Sequence, residues 1–471
     1  MEIIGREHEK RIFRQLESSG KPEFVVVYGR RRIGKTFLIT RYFNNNFSFS
    51  TTGVSDGSLK DQLRVFHMSL KKHYQSNIPL PKDWFHAFNL LEEQIEKDIT
   101  QGRKVLFIDE MPWFDTPKSN FLSALEHFWN AFASKRKDIL LIVCGSAASW
   151  IVKNLINNYG GLHNRVTDVI FLEPFNLKEC EAFYQNRGIA MNREQIAEAY
   201  MILGGIPFYM DAMDKAFGLN QNIDLLLFNK NAKLSNEYAR LYNSLFRHAN
   251  NHMRIAEVLS KTNMGMSRKE LSEKSGISDG GGLTKILDEM ESCGLISKNH
   301  SFSKNKYGGY YKLIDFYTLF YYKFIKTRKS NDPHFWTNFL SYPAHRIWCG
   351  YAFERLCAAH INQIKYKLGI YGVISDIYTF RSVKKKGGAQ IDIIIDRKDD
   401  VINLVECKFS GLPYKLTAEC IKELEHKKNV FIEETKTKKA IHITMITVSG
   451  LVVNEHYNAI QSEVTLNDLF L

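Results

Sequence analysis

The turn between an aliphatic strand and a helix is the feature that most limits how this chain can fold. The segment VYGRRRIGKT, residues 27–36, contains the pattern G-x4-G-K-T, formed by Gly29, Gly34, Lys35 and Thr36. Glycines there let backbone N–H groups curl around a phosphate, the lysine reaches the terminal phosphates, and the threonine hydroxyl binds Mg²⁺. The pattern predicts a loop for a nucleoside triphosphate, with nucleotide contacts from Gly29, Arg30, Arg31, Arg32, Ile33, Gly34, Lys35, Thr36 and Phe37. A basic turn without a ligand is the alternative.

Three short aliphatic runs, FVVVYG, VLFIDE and ILLIVCGS, alternate with segments of helical spacing over residues 1–165. This alternation predicts a parallel sheet covered by helices on both faces. The second run ends in Asp109 and Glu110, which we expect to supply a carboxylate for Mg²⁺ and a base that orients the attacking water. The third run ends in Ser146, either a sensor of the γ-phosphate or a helix-capping serine.

The loop and its surroundings contain more arginines than phosphate binding requires. One lysine suffices for the phosphates, so at least one residue of Arg30–Arg32 is expected to face a partner surface or nucleic acid. Arg165, in GGLHNRVTDVI, is a candidate arginine finger, and an exposed loop arginine is the equally weighted alternative.

An ordered set of motifs resembles a known ATPase class. IIGRE (residues 3–7), GRRRIGKT, FIDE, CGS and GGIP (residues 204–207) resemble the STAND/AAA-type P-loop ATPases of the archaeal and bacterial MNS branch, over roughly the first 325 residues. The resemblance implies hydrolysis of ATP with Mg²⁺. It also implies that Gly5, Arg6, Glu7 and Pro207 cradle the base and sugar of the nucleotide.

Residues 236–325 read as three short helices followed by a wing rich in Lys, Asn, Tyr and Gly, which predicts a winged helix. Its third helix carries Asp288, Glu289 and Glu291, which would repel phosphates in a major groove. The wing, with Lys298, Lys304 and Lys306, suits nucleic acid better. A relay in the nucleotide switch and a DNA reader are both compatible with this module.

A second constellation lies in GGAQIDIIIDRKDDVINLVECKFS, residues 387–410. Alternation places Glu406 and Lys408 on one face of their strand, and Asp392 lies beside them if the hairpin pairs in register. Two carboxylates can hold one or two divalent metals, and a lysine can activate water or stabilise a phosphodiester. A half-buried hairpin with surface charges is the alternative.

The order helix, strand, strand, strand, helix, strand over residues 346–471 resembles the PD-(D/E)xK restriction-endonuclease-like fold, with Ile391 where the family name has proline. The resemblance implies a metal site of Asp392 and Glu406, joined by Glu354, with Lys408 in a catalytic role. A fold that keeps these residues without cutting DNA remains the alternative. Nucleic acid is expected against Arg381, Lys384, Lys385, Lys386 and Lys422, although KKKGG also suits a solvated loop.

Composition agrees with a globular protein that binds polyanions. The 471 residues include 64 Lys and Arg against 51 Asp and Glu, a formal charge of +13, which favours a nucleic-acid partner. The seven cysteines form no C-x-x-C pair, so a reducing cytoplasm is the expected location. Neither a signal-peptide core nor a long apolar run is found, so no membrane partner is expected.

The sequence therefore predicts a multidomain α/β protein. Its parts are a P-loop ATPase core (1–165), a helical lid (166–235), a winged helix (236–325), a linker (326–345) and a nuclease-like αβββαβ domain (346–471). The expected function is an ATP-driven switch coupled to a DNA-directed, metal-dependent nuclease, with ATP and DNA as partners and homo-oligomerisation left open. The rivals are a regulatory STAND-type ATPase whose tail binds DNA or protein without cleavage, and a DNA translocase.

Overall fold

The aliphatic run before the glycine-rich turn forms strand β1 (Glu23–Tyr28), whose residues Phe24 to Val27 are fully buried. In the computed structural model it lies between two other strands of a five-stranded parallel sheet. The other strands are β2 (Phe49–Thr52), β3 (Lys104–Asp109), β4 (Ile139–Gly145) and β5 (Asp168–Phe171), in the order β2–β3–β4–β1–β5. The carboxyl ends of all five strands therefore meet at one edge.

The structure describes residues 2–75, 77–157, 162, 164–246, 248–300, 302, 309–328, 331–382, 384 and 387–471. The chain divides into two units. The first comprises Met1–Glu173 and Asn243–Arg247, and the second comprises Pro174–Tyr242 and His248–Leu471.

Helices of the first unit begin at local capping signals. Ser58 and Asp61 form a capping box before the helix that begins at Leu59, and Asp83 caps the helix that begins at Trp84, as short polar side chains do at helix starts. An aromatic core of Phe66, Trp84 and Phe121 lies under these helices. The helices are α1 (Glu7–Ser18), α2 (Lys35–Tyr42), α3 (Leu59–Tyr74), α4 (Trp84–Lys97), α5 (Phe121–His127) and α6 (Ala148–Ile151).

The predicted boundary of the core at residue 165 is too early. Strand β5 pairs with β1 in parallel register, from Val25–Asp168 to Tyr28–Phe171, so the sheet extends six residues further. The sequence pattern does not predict this strand, because it has four residues, begins with a charged side chain and is partly exposed.

The second unit opens with helices in the segment predicted to be a lid. Asn176–Glu179 and Asn192–Gln195 form the capping boxes of its first two helices. The helices are α7 (Leu177–Asn186), α8 (Arg193–Leu203), α9 (Pro207–Met210), α10 (Leu219–Ile223) and α11 (Glu237–Leu245).

A group of three helices and a small antiparallel sheet follows, which we call the hairpin module (residues 248–313). Its helices are α12 (Ala249–Ser260), α13 (Arg268–Ser275) and α14 (Gly281–Ser292). Its strands are β6 (Met266–Ser267), β7 (Ile296–His300) and β8 (Gly309–Leu313), in the order β6–β8–β7. Ser267 and Glu270 form the capping box that the sequence predicts for α13.

The segment predicted to be a linker is part of the packed structure. Helix α15 (Phe316–Phe320) precedes it, and α16 (Phe335–Phe339) lies within it. The Trp336 side chain is fully buried, and the buried Asp224 carboxylate accepts hydrogen bonds from the Trp336 and Thr337 amides at 2.8 and 3.2 Å. The polar run KTRKSNDPHF led to the prediction of a linker, although aromatic residues that pack in the structure follow it.

The last part of the second unit contains a five-stranded mixed sheet in the order β13–β12–β11–β10–β9. Strands β9 (Ser375–Arg381), β10 (Gln390–Arg397) and β11 (Val401–Lys408) are antiparallel neighbours, whereas β12 (Ala440–Thr447) and β13 (Ser462–Thr465) continue in parallel. Its helices are α17 (Pro343–Ala359), α18 (Ile361–Lys367) and α19 (Ala418–Thr435). In the described residues of the whole chain, no helix has both the length and the apolar character needed to cross a membrane.

His360 gives the second unit a pH-dependent stability. The imidazole is 1% exposed, Nε2 accepts a hydrogen bond from the Leu177 amide at 3.0 Å, and Nδ1 lies 2.9 Å from the Leu356 carbonyl oxygen. Burial lowers the pKa of His360 to about 4. The unfolded chain takes up a proton near pH 6.5 whereas the folded chain does not.

We therefore expect the free energy of unfolding to fall as the pH drops from 6.5 to 4, with a contribution from His360 of about 3 kcal/mol. Urea unfolding of wild type and His360→Gln at pH 7.5, 6, 5 and 4 measures it. The two proteins should differ most at high pH and least near pH 4. A difference that does not change with pH would contradict the assignment.

Candidate functional site

The glycine-rich loop adopts a backbone that only glycine accommodates at two points. Gly29 has φ +143°, and a Cβ there would lie 2.5 Å from the Leu172 carbonyl oxygen. Gly34 has φ +91° and immediately precedes α2. These conformations turn the chain sharply from β1 into the helix, as a phosphate-binding loop requires.

The Lys35 ammonium group joins the two ends of this turn. The side chain is 5% exposed, and Nζ donates to the carbonyl oxygens of Gly29 and Arg30 at 2.9 and 3.0 Å. It also lies 3.1 Å from the hydroxyl oxygen of Ser146, which follows β4. Lys35 is therefore placed where a phosphate oxygen could replace these acceptors.

Thr36 and Asp109 provide the oxygen ligands expected for Mg²⁺. The Thr36 hydroxyl lies 3.2 and 3.0 Å from the two carboxylate oxygens of Asp109. Burial raises the pKa of Asp109, although hydrogen bonds from Cys144 and Thr36 oppose this. Hard oxygen donors are what Mg²⁺ prefers, so this pair fits the ion, which would neutralise charge between the phosphates when bound.

Glu110 is held by Ser146 through both carboxylate oxygens. The Ser146 amide donates to Oε2 at 3.2 Å, and the hydroxyl donates to Oε1 at 2.8 Å. Because the same hydroxyl accepts from Lys35, the three side chains form one connected network. A phosphate that takes the lysine would therefore also change the position of Glu110, the residue predicted to orient the attacking water.

The arginines of the loop have different environments. Arg30 is buried, whereas Arg31 is exposed and is the residue free to face a partner. Ile33 is buried beneath the loop, Arg32 has a left-handed φ of +78°, and Phe37 is 38% exposed. Arg165 is exposed in a turn, and among the described residues no hydrogen bond or ion pair connects its guanidinium to the loop. Its predicted role as an arginine finger stays a prediction.

The N-terminal GRE segment reaches the loop through Arg6. The Arg6 side chain is 6% exposed, and its guanidinium lies 3.5 Å from the Ile33 carbonyl oxygen. Gly5 and Arg6 both have left-handed φ angles, +63° and +59°, so the chain turns before α1 begins at Glu7. Pro207 is the first residue of α9 in the second unit, and its predicted contact with the nucleotide stays a prediction.

Strands β10 and β11 bring the second constellation together. Ile393 pairs with Val405, which puts Asp392 and Glu406 one residue further along the same antiparallel ladder. The Glu406 carboxylate forms ion pairs of 2.9 Å with both Lys408 and Lys427 of α19. Burial lowers the pKa of Lys408, but Glu406 outweighs this effect and the net shift is upward.

Glu354 of α17 joins this group electrostatically. Burial, followed by the negative charges of Asp392 and Glu406, raises the pKa of Glu354 to about 7, whereas Lys312 and Arg355 lower it. Within the part of the chain that the structure describes, however, no three His, Cys, Asp or Glu side chains converge as a metal cluster. The donor chemistry fits a divalent metal, but the carboxylates are not gathered around one point.

The predicted nucleic-acid contacts are only partly within the described residues. Lys298, Arg381, Lys384 and Lys422 are exposed, with Lys384 paired to Glu433 at 2.8 Å and Lys298 lying 5.9 Å from the ring centre of Tyr311. Lys304, Lys306, Lys385 and Lys386 lie outside the described residues.

Sequence reasoning missed three residues that contact or face these sites. Cys144 lies 2.6 Å from Asp109, Lys427 binds Glu406, and Lys312 faces Asp392. A cysteine two residues before Ser146 was visible in the motif CGS. No sequence pattern indicates Lys427 or Lys312, because their positions depend on how α19 and β8 pack.

The fold and the loop geometry are those of a P-loop nucleotide-binding domain, and a family comparison points the same way. Residues 4–213 match the model of a family described as an "ATPase domain predominantly from Archaea". The match covers less than half of the chain; it supports ATPase function, with ATP as the expected ligand.

Three further similarities concern more of the chain. It is 26% identical over 333 residues to the "Uncharacterized protein MJECL04" of Methanocaldococcus jannaschii, covering 69% of each protein. Among solved structures it is similar to the Walker-type ATPase PABY2304 of Pyrococcus abyssi (TM-score 0.46, 16% identity, 68% of this chain and 96% of that one). It is also similar to the ORC2 protein of Aeropyrum pernix (TM-score 0.38, 13% identity, 75% and 93%).

Lys35→Ala removes the ammonium group at the phosphate position. Because a hydrogen bond to a charged group contributes about 1.5–3 kcal/mol, we expect ATP affinity to fall at least about tenfold. Equilibrium binding of a fluorescent ATP analogue measures this, with circular dichroism to check the fold. The exposed Lys60→Ala is the matched control. Undiminished affinity in Lys35→Ala would contradict the site.

Glu110→Gln separates binding from hydrolysis. The amide keeps the size of the side chain but cannot act as a base, so ATP hydrolysis should fall about 100-fold or more while ATP affinity changes little. Phosphate release at saturating ATP measures the rate. The exposed Glu96→Gln should retain full activity, and a Glu110→Gln enzyme of near wild-type rate would exclude Glu110 as the base.

Proposed function

We propose that this ATPase controls a DNA-directed, metal-dependent nuclease domain formed by residues 346–471. One observation carries the proposal. Helix α17 and strands β10 and β11 bring Glu354, Asp392 and Glu406 within electrostatic range of one another, with Lys408 bonded to Glu406. The strand and helix order, α17, α18, β9, β10, β11, α19, β12, β13, contains the helix, three strands, helix and strand that support a restriction-endonuclease-like fold.

The chemistry of this group suits phosphodiester cleavage. Two or three carboxylates supply oxygen ligands for Mg²⁺ or Mn²⁺, which would polarise the phosphate and its attacking water. Lys408 would stabilise the negative charge that develops on the phosphate oxygens. The roles that we propose are metal ligation by Glu354, Asp392 and Glu406, and charge stabilisation by Lys408.

DNA is the polyanion that we propose as the partner. The net charge of +13 supports it, as do exposed basic residues at Arg381, Lys384 and Lys422 near the strand that carries Asp392. The hairpin module would act as a winged helix that adds Lys298 to this surface. Phosphate contacts of this kind give affinity without sequence preference.

The nucleotide site would act as a switch of the STAND or AAA type. The network of Lys35, Ser146 and Glu110 supports this proposal, since a γ-phosphate would replace hydrogen bonds that currently join the ends of β1, β3 and β4. The seven cysteines are free, which supports a reducing compartment such as the cytoplasm.

A second candidate function has its own observation. Glu406 is already neutralised by two lysines, and among the described residues no carboxylate cluster converges on a single metal position. These facts favour a regulatory ATPase whose C-terminal domain binds DNA or protein without cleavage.

The test is the integrity of a supercoiled plasmid incubated with the purified full chain in Mg²⁺ or Mn²⁺, with and without ATP. We expect nicking or linearisation by wild type, its loss in Asp392→Asn and Lys408→Met, and retention in Asp400→Asn. Asp400 is an exposed residue of the same hairpin with a left-handed φ that asparagine tolerates, which makes it a matched control.

Lys35→Ala in the same assay shows whether the nucleotide site controls cleavage. An intact plasmid in every lane, from protein that hydrolyses ATP, would overturn the nuclease assignment in favour of the regulatory ATPase.

A further inference from the structure

A lysine of the hairpin module faces the carboxylates of the C-terminal sheet. Lys312 of β8 and Asp392 of β10 line the same small cavity. Met264 and Tyr310 enclose it on the side of the hairpin module, and Phe380 and Ile391 enclose it on the side of the sheet. The half-buried Lys312 therefore belongs to the surroundings of Asp392, although it is remote from it in sequence.

The cavity is too small for the proposed substrate. Its volume is about 20 Å³, which is room for about one water molecule. A phosphodiester group cannot enter it, so a DNA strand cannot reach Asp392 from this side in the arrangement described.

Four contacts hold the hairpin module against this face. The Arg355 guanidinium of α17 donates to the Asn263 side chain at 2.7 Å. Phe302 donates its amide to the Thr379 carbonyl at 2.9 Å, and its ring lies 5.2 Å from that of Tyr378 and 5.1 Å from that of Phe431. These contacts hold the hairpin module, which includes β8, against the C-terminal sheet and its helices.

Cations of the protein outnumber the carboxylates in this region. Glu354, Asp392 and Glu406 are accompanied by Lys312, Arg355, Arg381, Lys408 and Lys427. Burial lowers the pKa of Lys312, and the charges of Asp392 and Glu354 oppose that shift. Within the described residues, Lys312 forms no ion pair with a carboxylate, and it shares the lining of the cavity with Asp392.

We propose that Lys312 is the built-in counter-cation of Asp392 and Glu354 and sets how tightly a divalent metal binds there. A doubly charged ion beside Asp392 is repelled by the ammonium group in a space of low dielectric constant. The inference rests on the proposed metal site and adds to it a control by the hairpin module.

The test measures Mn²⁺ binding to the full chain by isothermal titration calorimetry in the absence of DNA. Lys312→Met removes the charge and keeps the length of the side chain, so the Kd for Mn²⁺ should fall at least tenfold. Lys312→Arg keeps the charge and should bind Mn²⁺ as weakly as wild type. Lys269→Met, an exposed lysine of the same module, is the matched control and should leave the Kd unchanged.

The outcomes separate this inference from the proposed function. An unchanged Kd in folded Lys312→Met, together with plasmid cleavage that depends on Asp392, would overturn the counter-cation role while the nuclease stands. Unchanged Mn²⁺ affinity with loss of cleavage would also overturn it and assign Lys312 to the phosphate. In a third outcome, neither wild type nor any variant cleaves the plasmid, but Lys312→Met binds Mn²⁺ more tightly than wild type. If adding Asp392→Asn to Lys312→Met abolishes this gain in affinity, the counter-cation role stands and the nuclease assignment fails.

Discussion

The hydrogen bonds of the Lys35 ammonium group are the interaction on which the nucleotide site depends. They close the turn after β1 on its own carbonyl oxygens and reach the Ser146 hydroxyl at the end of β4. The parallel sheet makes this possible, because it brings the carboxyl ends of β1, β3 and β4 to one edge. Thr36, Asp109 and Glu110 then need only short hydrogen bonds to complete the site.

The C-terminal region also combines carboxylates with lysines, but there the lysines offset repulsion between the carboxylates. Three carboxylates lie in a partly buried region, where their mutual repulsion must be offset. Lysines of β11 and α19 bind Glu406 directly, whereas Lys312 and Arg355 act on Glu354 and Asp392. Helix α19 and strand β8 are thus needed for charge balance as well as for packing.

Local patterns predicted much of this molecule. The G-x4-G-K-T turn, the acidic pair after β3 and the serine after β4 lie together because strand ends meet in a parallel sheet. The hairpin of Asp392 and Glu406 has the register that alternation suggests. What could not be predicted depends on contacts distant in sequence. Strand β5 has only four residues, too few for a recognisable pattern, and Trp336 follows a polar run that predicts a linker. Lys312 and Asp392 line one cavity only because the hairpin module packs against the C-terminal sheet.

The two sites differ in what a ligand must displace. At the nucleotide site the acceptors of Lys35 are two carbonyl oxygens and a hydroxyl, so a phosphate oxygen exchanges one neutral acceptor for a charged one and strengthens the bond. At the C-terminal site the carboxylates are already compensated by ammonium groups. Because the pKa of Glu354 is raised to about 7, protons also compete for that carboxylate near neutral pH. Under the proposed function, a divalent metal there would have to overcome a lysine and a proton, so its binding would depend on Lys312 and on pH together.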